Sequence, residues 1–201
     1  NWPPMCTLGR SGEVSLAKQF SRALARELLA VGVSLDYAPV LDIHTNSRNP
    51  VIGDRALSDQ AHDVARLGAV IIDGLQREGV AACGKHFPGH GDTSSDSHHE
   101  LPVVEHSPER LREVELLPFR AAVARDVAMI MTAHVLYPAF DEECPATLSP
   151  YVVTEILRRE LGFSGLIATD DLSMKAITTD WSVERTCVTA IAAGCDLLLL
   201  C

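Results

Sequence analysis

Between Lys85 and His98 the chain reads Lys85-His86-Phe87-Pro88-Gly89-His90-Gly91-Asp92-Thr93-Ser94-Ser95-Asp96-Ser97-His98. Three histidines, a lysine and two aspartates are set among glycines and a proline. Holding close-set titratable groups on such flexible backbone costs stability, and loops that do so usually handle a polar substrate. The end of the segment is the sharpest part. A carboxylate at Asp96, two residues before His98, can fix the tautomer of the imidazole and raise its basicity, which is the preparation a proton-transfer group needs. A second acidic pair, Asp170-Asp171, follows the apolar run Gly165-Leu166-Ile167-Ala168-Thr169, and His134 ends another run, Val127–Ala133.

These groups need elements to place them, and the apolar patterning supplies a regular series. An amphipathic helix is expected from Ser11 to Val31, stopped by Gly32. A strand over Val33–Leu41 follows, closed by Asp42. A loop rich in Asn, Pro and Gly runs from His44 to Asp54, then a helix from about Ser58 to Glu78 and a strand over Val80–Gly84. A helix from Pro108 to about Arg125, broken near Pro118, precedes the strand Val127–Ala133. A helix over Pro150–Leu161 precedes the strand ending at Asp170. The last pair is a helix over Val183–Ala193 and a strand over Asp196–Leu200.

Strands alternate with helices and are continuous apolar runs, which indicates a parallel sheet covered by helices. Polar residues close four of the strands: Asp42, Lys85 with His86, His134, and Asp170. Chemistry at the C-terminal ends of strands is the arrangement of a (β/α)₈ TIM barrel. An open doubly wound sheet would carry a Gly-rich phosphate loop after its first strand, and no GxGxxG or Walker sequence is present. About five βα units are visible, where a full barrel needs eight strands and roughly 250 residues. The chain therefore reads as an incomplete α/β barrel lacking the first strands and the last one, with no second domain.

Bulk properties narrow the function. The 201 residues are 47% hydrophobic and 22% charged, with a formal net charge of -10. That suits a globular chain with a sizeable core. The acidic balance argues against nucleic acid as a partner, and no apolar run is long enough to span a bilayer. Six scattered cysteines without CxxC spacing read as reduced core thiols.

Four ordered motifs resemble the catalytic domain of glycoside hydrolase family 3, in particular its bacterial β-N-acetylglucosaminidase (β-N-acetylhexosaminidase) branch. Tyr37-Ala38-Pro39-Val40-Leu41-Asp42 resembles the family's third-strand motif, and Asn49-Pro50-Val51-Ile52-Gly53-Asp54-Arg55 its sugar-binding loop. Lys85 to Gly91 with Asp96-Ser97-His98 resembles the signature of the branch, and Thr169-Asp170-Asp171-Leu172-Ser173-Met174 the nucleophile motif. His44 and Ser47 depart from the pattern, standing where Asn or Asp and Pro are expected.

The resemblance implies a retaining exo-glycosidase that removes terminal non-reducing β-linked N-acetylglucosamine from peptidoglycan fragments or chitooligosaccharides. Asp170 would be the nucleophile, His98 the acid/base and Asp96 its orienting partner. Arg55, Lys85 and His86 would bind sugar hydroxyls. By their own positions, His134 at its strand end would line the substrate pocket or support Asp170, and Met174 would shape an acetamido pocket or serve packing. No metal or organic cofactor is implied. A monomer is expected, with a small carbohydrate as its partner and the cytoplasm favoured over secretion. Asp171 reads as the cap of the following turn, His90 as a brace for its loop, and Asp42 as a helper for the loop carrying Arg55.

Two other functions fit parts of the pattern. A β-glucosidase or β-xylosidase of the same family would share Asp170 but generally lacks the Asp-Ser-His loop. A metal-dependent barrel amidohydrolase could use His86, His90, His98 and His134 with Asp170, although no His-x-His follows a strand and no HExxH is present.

Overall fold

The computed structural model describes residues 2–201. Helix α1 (Met5–Ser11), which was not expected, ends at Gly12, and α2 (Val14–Ala30) matches the helix expected over Ser11–Val31. Then come β1 (Leu35–Asp36), α3 (Ala61–Arg77) and β2 (Ala81–Phe87). Three helical segments follow: α4 (Pro108–Arg110), a π turn over Leu111–Glu115, and α5 (Leu117–Val123). Strand β3 (Met129–Thr132), a π-type helix over Tyr151–Glu160, β4 (Leu166–Asp171), α6 (Lys175–Thr178), α7 (Val183–Ala193) and β5 (Leu197–Leu199) complete the order.

The five strands form one sheet in the order β1-β2-β3-β4-β5, every pair parallel. Successive parallel strands side by side, each reached through helix, make a curled section of a β/α barrel, as the apolar runs required. Alternation along the strands separates two cores. Ala82, Ile130 and Ile167 face outward onto α3 and α5, in a cluster with Leu67, Ile71, Leu75 and Phe119. Cys83, Met129, Met131 and Ala168 face the concave side with Leu35, Tyr37 and Leu199. Two residues on from Cys83 and from Ala168, the same alternation brings Lys85 and Asp170 to the C-terminal end of the concave face.

Several boundaries differ from expectation for physical reasons. β1 is far shorter than Val33–Leu41, because Pro39 has no N–H to offer the ladder; pairing resumes only at the bridge between Val40 and Lys85. β2 runs past Gly84 to Phe87, so Lys85 and His86 belong to the strand rather than to the loop after it. Pro118 does not break a helix. It lies in the first turn of α5, where its missing N–H is harmless, and the π turn precedes it. The cysteines are all free thiols, but only Cys83 and Cys195 are core residues, each pushed up to about 12 by burial; Cys201 is exposed. Among the described residues no helix is long and apolar enough to cross a membrane.

Candidate active site

The centre of the loop after β2 is one fully buried carboxylate. Asp42 Oδ1 accepts from the backbone N–H of His86 (3.2 Å) and of His90 (2.7 Å), and Oδ2 accepts from His86 Nδ1 at 2.7 Å. Burial alone would raise this carboxyl, but its interactions with His86 and His90, these hydrogen bonds among them, hold it below the usual range. Asp42 was expected to serve the loop carrying Arg55. It instead fixes the start of the histidine-rich loop, because the end of the β1 segment lies directly beside β2.

From there the loop is tied at nearly every residue. The buried Tyr137 hydroxyl donates to the Gly89 carbonyl. Gly89 has φ +137, a left-handed conformation that other residues resist. At Gly91 a Cβ atom would lie 1.8 Å from the Ile43 carbonyl oxygen, so only glycine permits this approach. Asn49 Nδ2 donates to the His90 carbonyl (2.9 Å), the Thr93 carbonyl (3.1 Å) and the Thr93 hydroxyl (3.0 Å). Its Oδ1 caps Val51 and Ile52 of its own loop. His90 is buried, with ring nitrogens 2.9 Å from the Thr93 hydroxyl and 3.0 Å from that of Ser97. It braces the loop, and burial pushes its pKa down. Asp92 accepts from Thr45 and pairs with His106.

The far end of the loop presents the proton-transfer pair. His98 Nδ1 lies 2.7 Å from Asp96 Oδ1, which also accepts the His98 backbone N–H at 2.8 Å. An ionised carboxylate only accepts, so Nδ1 carries the proton and Nε2 is the working nitrogen. Slight burial raises Asp96, but the hydrogen bonds and charge of His98 outweigh it and keep the carboxyl below its ordinary value. The His98 side chain is 61% exposed, so Nε2 is open to a ligand.

Asp170 and its surroundings are organised by the neighbouring peptide. Asp170 Oδ1 accepts the Asp171 N–H at 2.8 Å. The Asp171 side chain caps the turn by accepting from Ser173 N–H (2.9 Å) and its hydroxyl, as its sequence position implied. The Asp171 carbonyl accepts from His134 Nε2 at 2.9 Å. Since a carbonyl cannot donate, Nε2 carries the His134 proton. Burial pushes His134 down, and Nδ1 lies 2.8 Å from the Thr147 hydroxyl, whose single proton also faces the Ala133 carbonyl at 2.9 Å. Thr132 in turn lies 2.9 Å from Thr147. His134 is fully buried, with both nitrogens used inside the protein. Of its two expected places, the pocket edge and a support for Asp170, these contacts match the second, beneath the Asp170-Asp171 turn.

Two distant pieces are joined by one further bond. The Ser97 carbonyl accepts the Ala176 N–H at 3.2 Å, which ties the residue next to His98 to the segment just after Asp170. Met174 lies on that segment, largely buried at the start of α6. Arg55, at the end of a short 3₁₀ turn, donates to the Val51 carbonyl and shares a cavity of about 410 Å³ with Lys85, Tyr37 and Asp54. Among the described residues no three or more His, Cys, Asp or Glu converge as metal ligands would. Sequence reasoning missed Thr147, Thr132 and Tyr137, which carry no local signal, and named Asn49 only as part of the loop before Arg55.

The fold is a partial β/α barrel with a carboxylate at one strand end and, on the loop after β2, a carboxylate-oriented imidazole. The chain matches the glycosyl hydrolase family 3 N terminal domain over residues 1–201. It is similar to a protein named beta-hexosaminidase from Nitrosomonas eutropha, 41% identical over 99% of this chain and 58% of that one. Among solved structures it resembles a family 3 β-N-acetylglucosaminidase from Paenibacillus sp. (TM-score 0.95, 49% identity, 98% of this chain and 38% of that chain). It also resembles NagZ from Neisseria gonorrhoeae in complex with N-trifluoroacetyl-D-glucosamine (TM-score 0.91, 38% identity, 99% and 59%). The chain belongs to glycoside hydrolase family 3, and it spans a little over half the length of the curated relatives it matches.

Proposed function

We propose that this chain is the catalytic barrel of a retaining exo-β-N-acetylglucosaminidase. Asp170 attacks the anomeric carbon while the glycosidic C–O bond breaks, and His98 Nε2 gives its proton to the departing oxygen. In the second half, neutral His98 takes a proton from water. The oxygen of that water bonds the anomeric carbon, the bond to Asp170 breaks, and the product keeps its configuration. Asp96 holds the imidazole through both steps. Arg55, Lys85 and His86 take the terminal sugar's hydroxyls, and Met174 lines the pocket beside Asp170.

The observation that carries this reading is the Asp96–His98 pair tied through Ser97 and Ala176 to the Asp170 segment. An acid/base on a side of the site other than the nucleophile is what a double displacement needs, and the β-N-acetylglucosaminidase relatives favour the amino sugar over glucose or xylose. The substrate in the cell is a GlcNAc-containing oligosaccharide such as a muropeptide fragment, handled by a monomer in the cytoplasm. The test is hydrolysis of aryl β-GlcNAc by the full-length enzyme, its Asp170→Ala form and its His98→Ala form. Both substitutions should cost at least about 10³-fold in kcat. Undiminished turnover in either, or faster cleavage of aryl β-glucoside, would refute it.

A further inference from the structure

His86 is oriented as firmly as His98, yet by a carboxylate that the proposed chemistry leaves unused. Asp42 is fully buried, and its two oxygens have separate tasks: Oδ1 takes the His86 and His90 backbone N–H groups, and Oδ2 faces only His86 Nδ1. Among the described residues His86 Nε2 has no hydrogen-bond partner, and it is not sealed away like the buried orphan atoms His44 Nδ1 or Glu115 Oε2. This free edge belongs to the residue next to Lys85, at the end of β2.

In the cavity beside it, Lys85 and Arg55 only donate hydrogen bonds, while Asp54 and the Tyr37 hydroxyl can accept. A neutral His86 with its proton on Nδ1 adds an acceptor at the end of β2, directly beside Lys85. We propose that Asp42 is a positioning residue that locks His86 as the Nδ1–H tautomer, so that His86 Nε2 is the hydrogen-bond acceptor for a hydroxyl of the terminal sugar. The inference rests on the reading of the site as a GlcNAc pocket. It adds a criterion by which that pocket tells a hydroxyl from a group that cannot donate.

The geometry supplies a narrow test. In Asp42→Asn, the carbonyl oxygen can keep both backbone N–H groups while the new NH₂ faces Nδ1. The clamp on the loop is then preserved and only the His86 tautomer reverses, leaving Nε2–H as a donor. Histidine ¹⁵N NMR on the full-length enzyme, with the His86 resonance assigned through His86→Gln, reads this directly. Wild type should show protonated Nδ1 and bare Nε2, and Asp42→Asn the reverse. A wild-type His86 protonated on Nε2 overturns the inference even if the variant does not fold.

The functional arm uses aryl β-GlcNAc substrates in which the 3-, 4- or 6-hydroxyl is replaced in turn by fluorine, which accepts but cannot donate. One position should show a strong preference for hydroxyl in wild type, and that preference should fall about tenfold or more in Asp42→Asn. Overall kcat/KM should drop on the order of 10- to 100-fold, the usual consequence of facing a donor with a donor. Identical fluorine discrimination in both proteins overturns the inference. A wild type inert to aryl β-GlcNAc sinks the proposed activity instead, and leaves the NMR arm to decide the tautomer.

Discussion

The buried His134 beneath the Asp170-Asp171 turn should make the fold acid-sensitive in a window set by histidine rather than by carboxylates. Its pKa is depressed by burial, so below about pH 6.5 the unfolded chain takes up a proton that the folded ring refuses. Stability therefore falls with pH from that point until the folded-state pKa is reached. For a ring kept neutral throughout, the loss between about pH 7.5 and 5.5 is roughly 1.4 kcal/mol. The depressed carboxyls Asp42, Asp96 and Asp171 do not contribute there. Their stabilisation is present above about pH 4 and is lost only as pH falls through their lowered folded values. Replacing His134 by Gln isolates the effect. At neutral pH the variant should be less stable by about 1–3 kcal/mol, since the Asp171 carbonyl and the Thr147 hydroxyl lose a matched partner. As pH falls from about 6.5 that deficit should shrink, because glutamine does not titrate. Urea unfolding at a series of pH values measures both curves. A deficit that stays constant with pH would refute the neutral, buried assignment of His134.

Three other outcomes follow from the same geometry. Gly91→Ala should cost several kcal/mol or displace the loop, as its Cβ would meet the Ile43 carbonyl at 1.8 Å; calorimetry and kcat together report which. Asn49→Ala removes hydrogen bonds that join two loops and should lower stability by about 2–4 kcal/mol while reducing kcat, measured by thermal unfolding and aryl β-GlcNAc hydrolysis. Asp96→Asn should keep the fold but reduce kcat by about 10²-fold or more on aryl β-GlcNAc, since His98 loses the carboxylate that orients its ring and fixes its tautomer. Unchanged kcat would show that Asp96 does not govern His98.

The barrel architecture and the turn-capping place of Asp171 were legible because they depend on local patterns: apolar runs and strand-end polar residues. The extent of β2 was not, since Lys85 and His86 look like loop residues until pairing with β3 places them in the sheet. Nor was the task of Asp42, whose partners lie 44 and 48 positions away. His134 shows the same limit. Its position at a strand end allows either the pocket edge or a support for Asp170, and Thr147 and the Asp171 carbonyl, brought in by separate segments, decide for the second by taking both its nitrogens. Tertiary hydrogen bonds between distant polar side chains leave no periodic trace in a sequence.

The division of labour between Asp170 and His98 is tested most directly by following His98→Ala with dinitrophenyl β-GlcNAc. This leaving group departs without a proton, so the first step proceeds and the second lacks its base. The account predicts a burst of dinitrophenol, followed by slow turnover, and a glycosyl adduct found by peptide mass spectrometry on the peptide containing Asp170. No burst, or an adduct on any other residue, would contradict it.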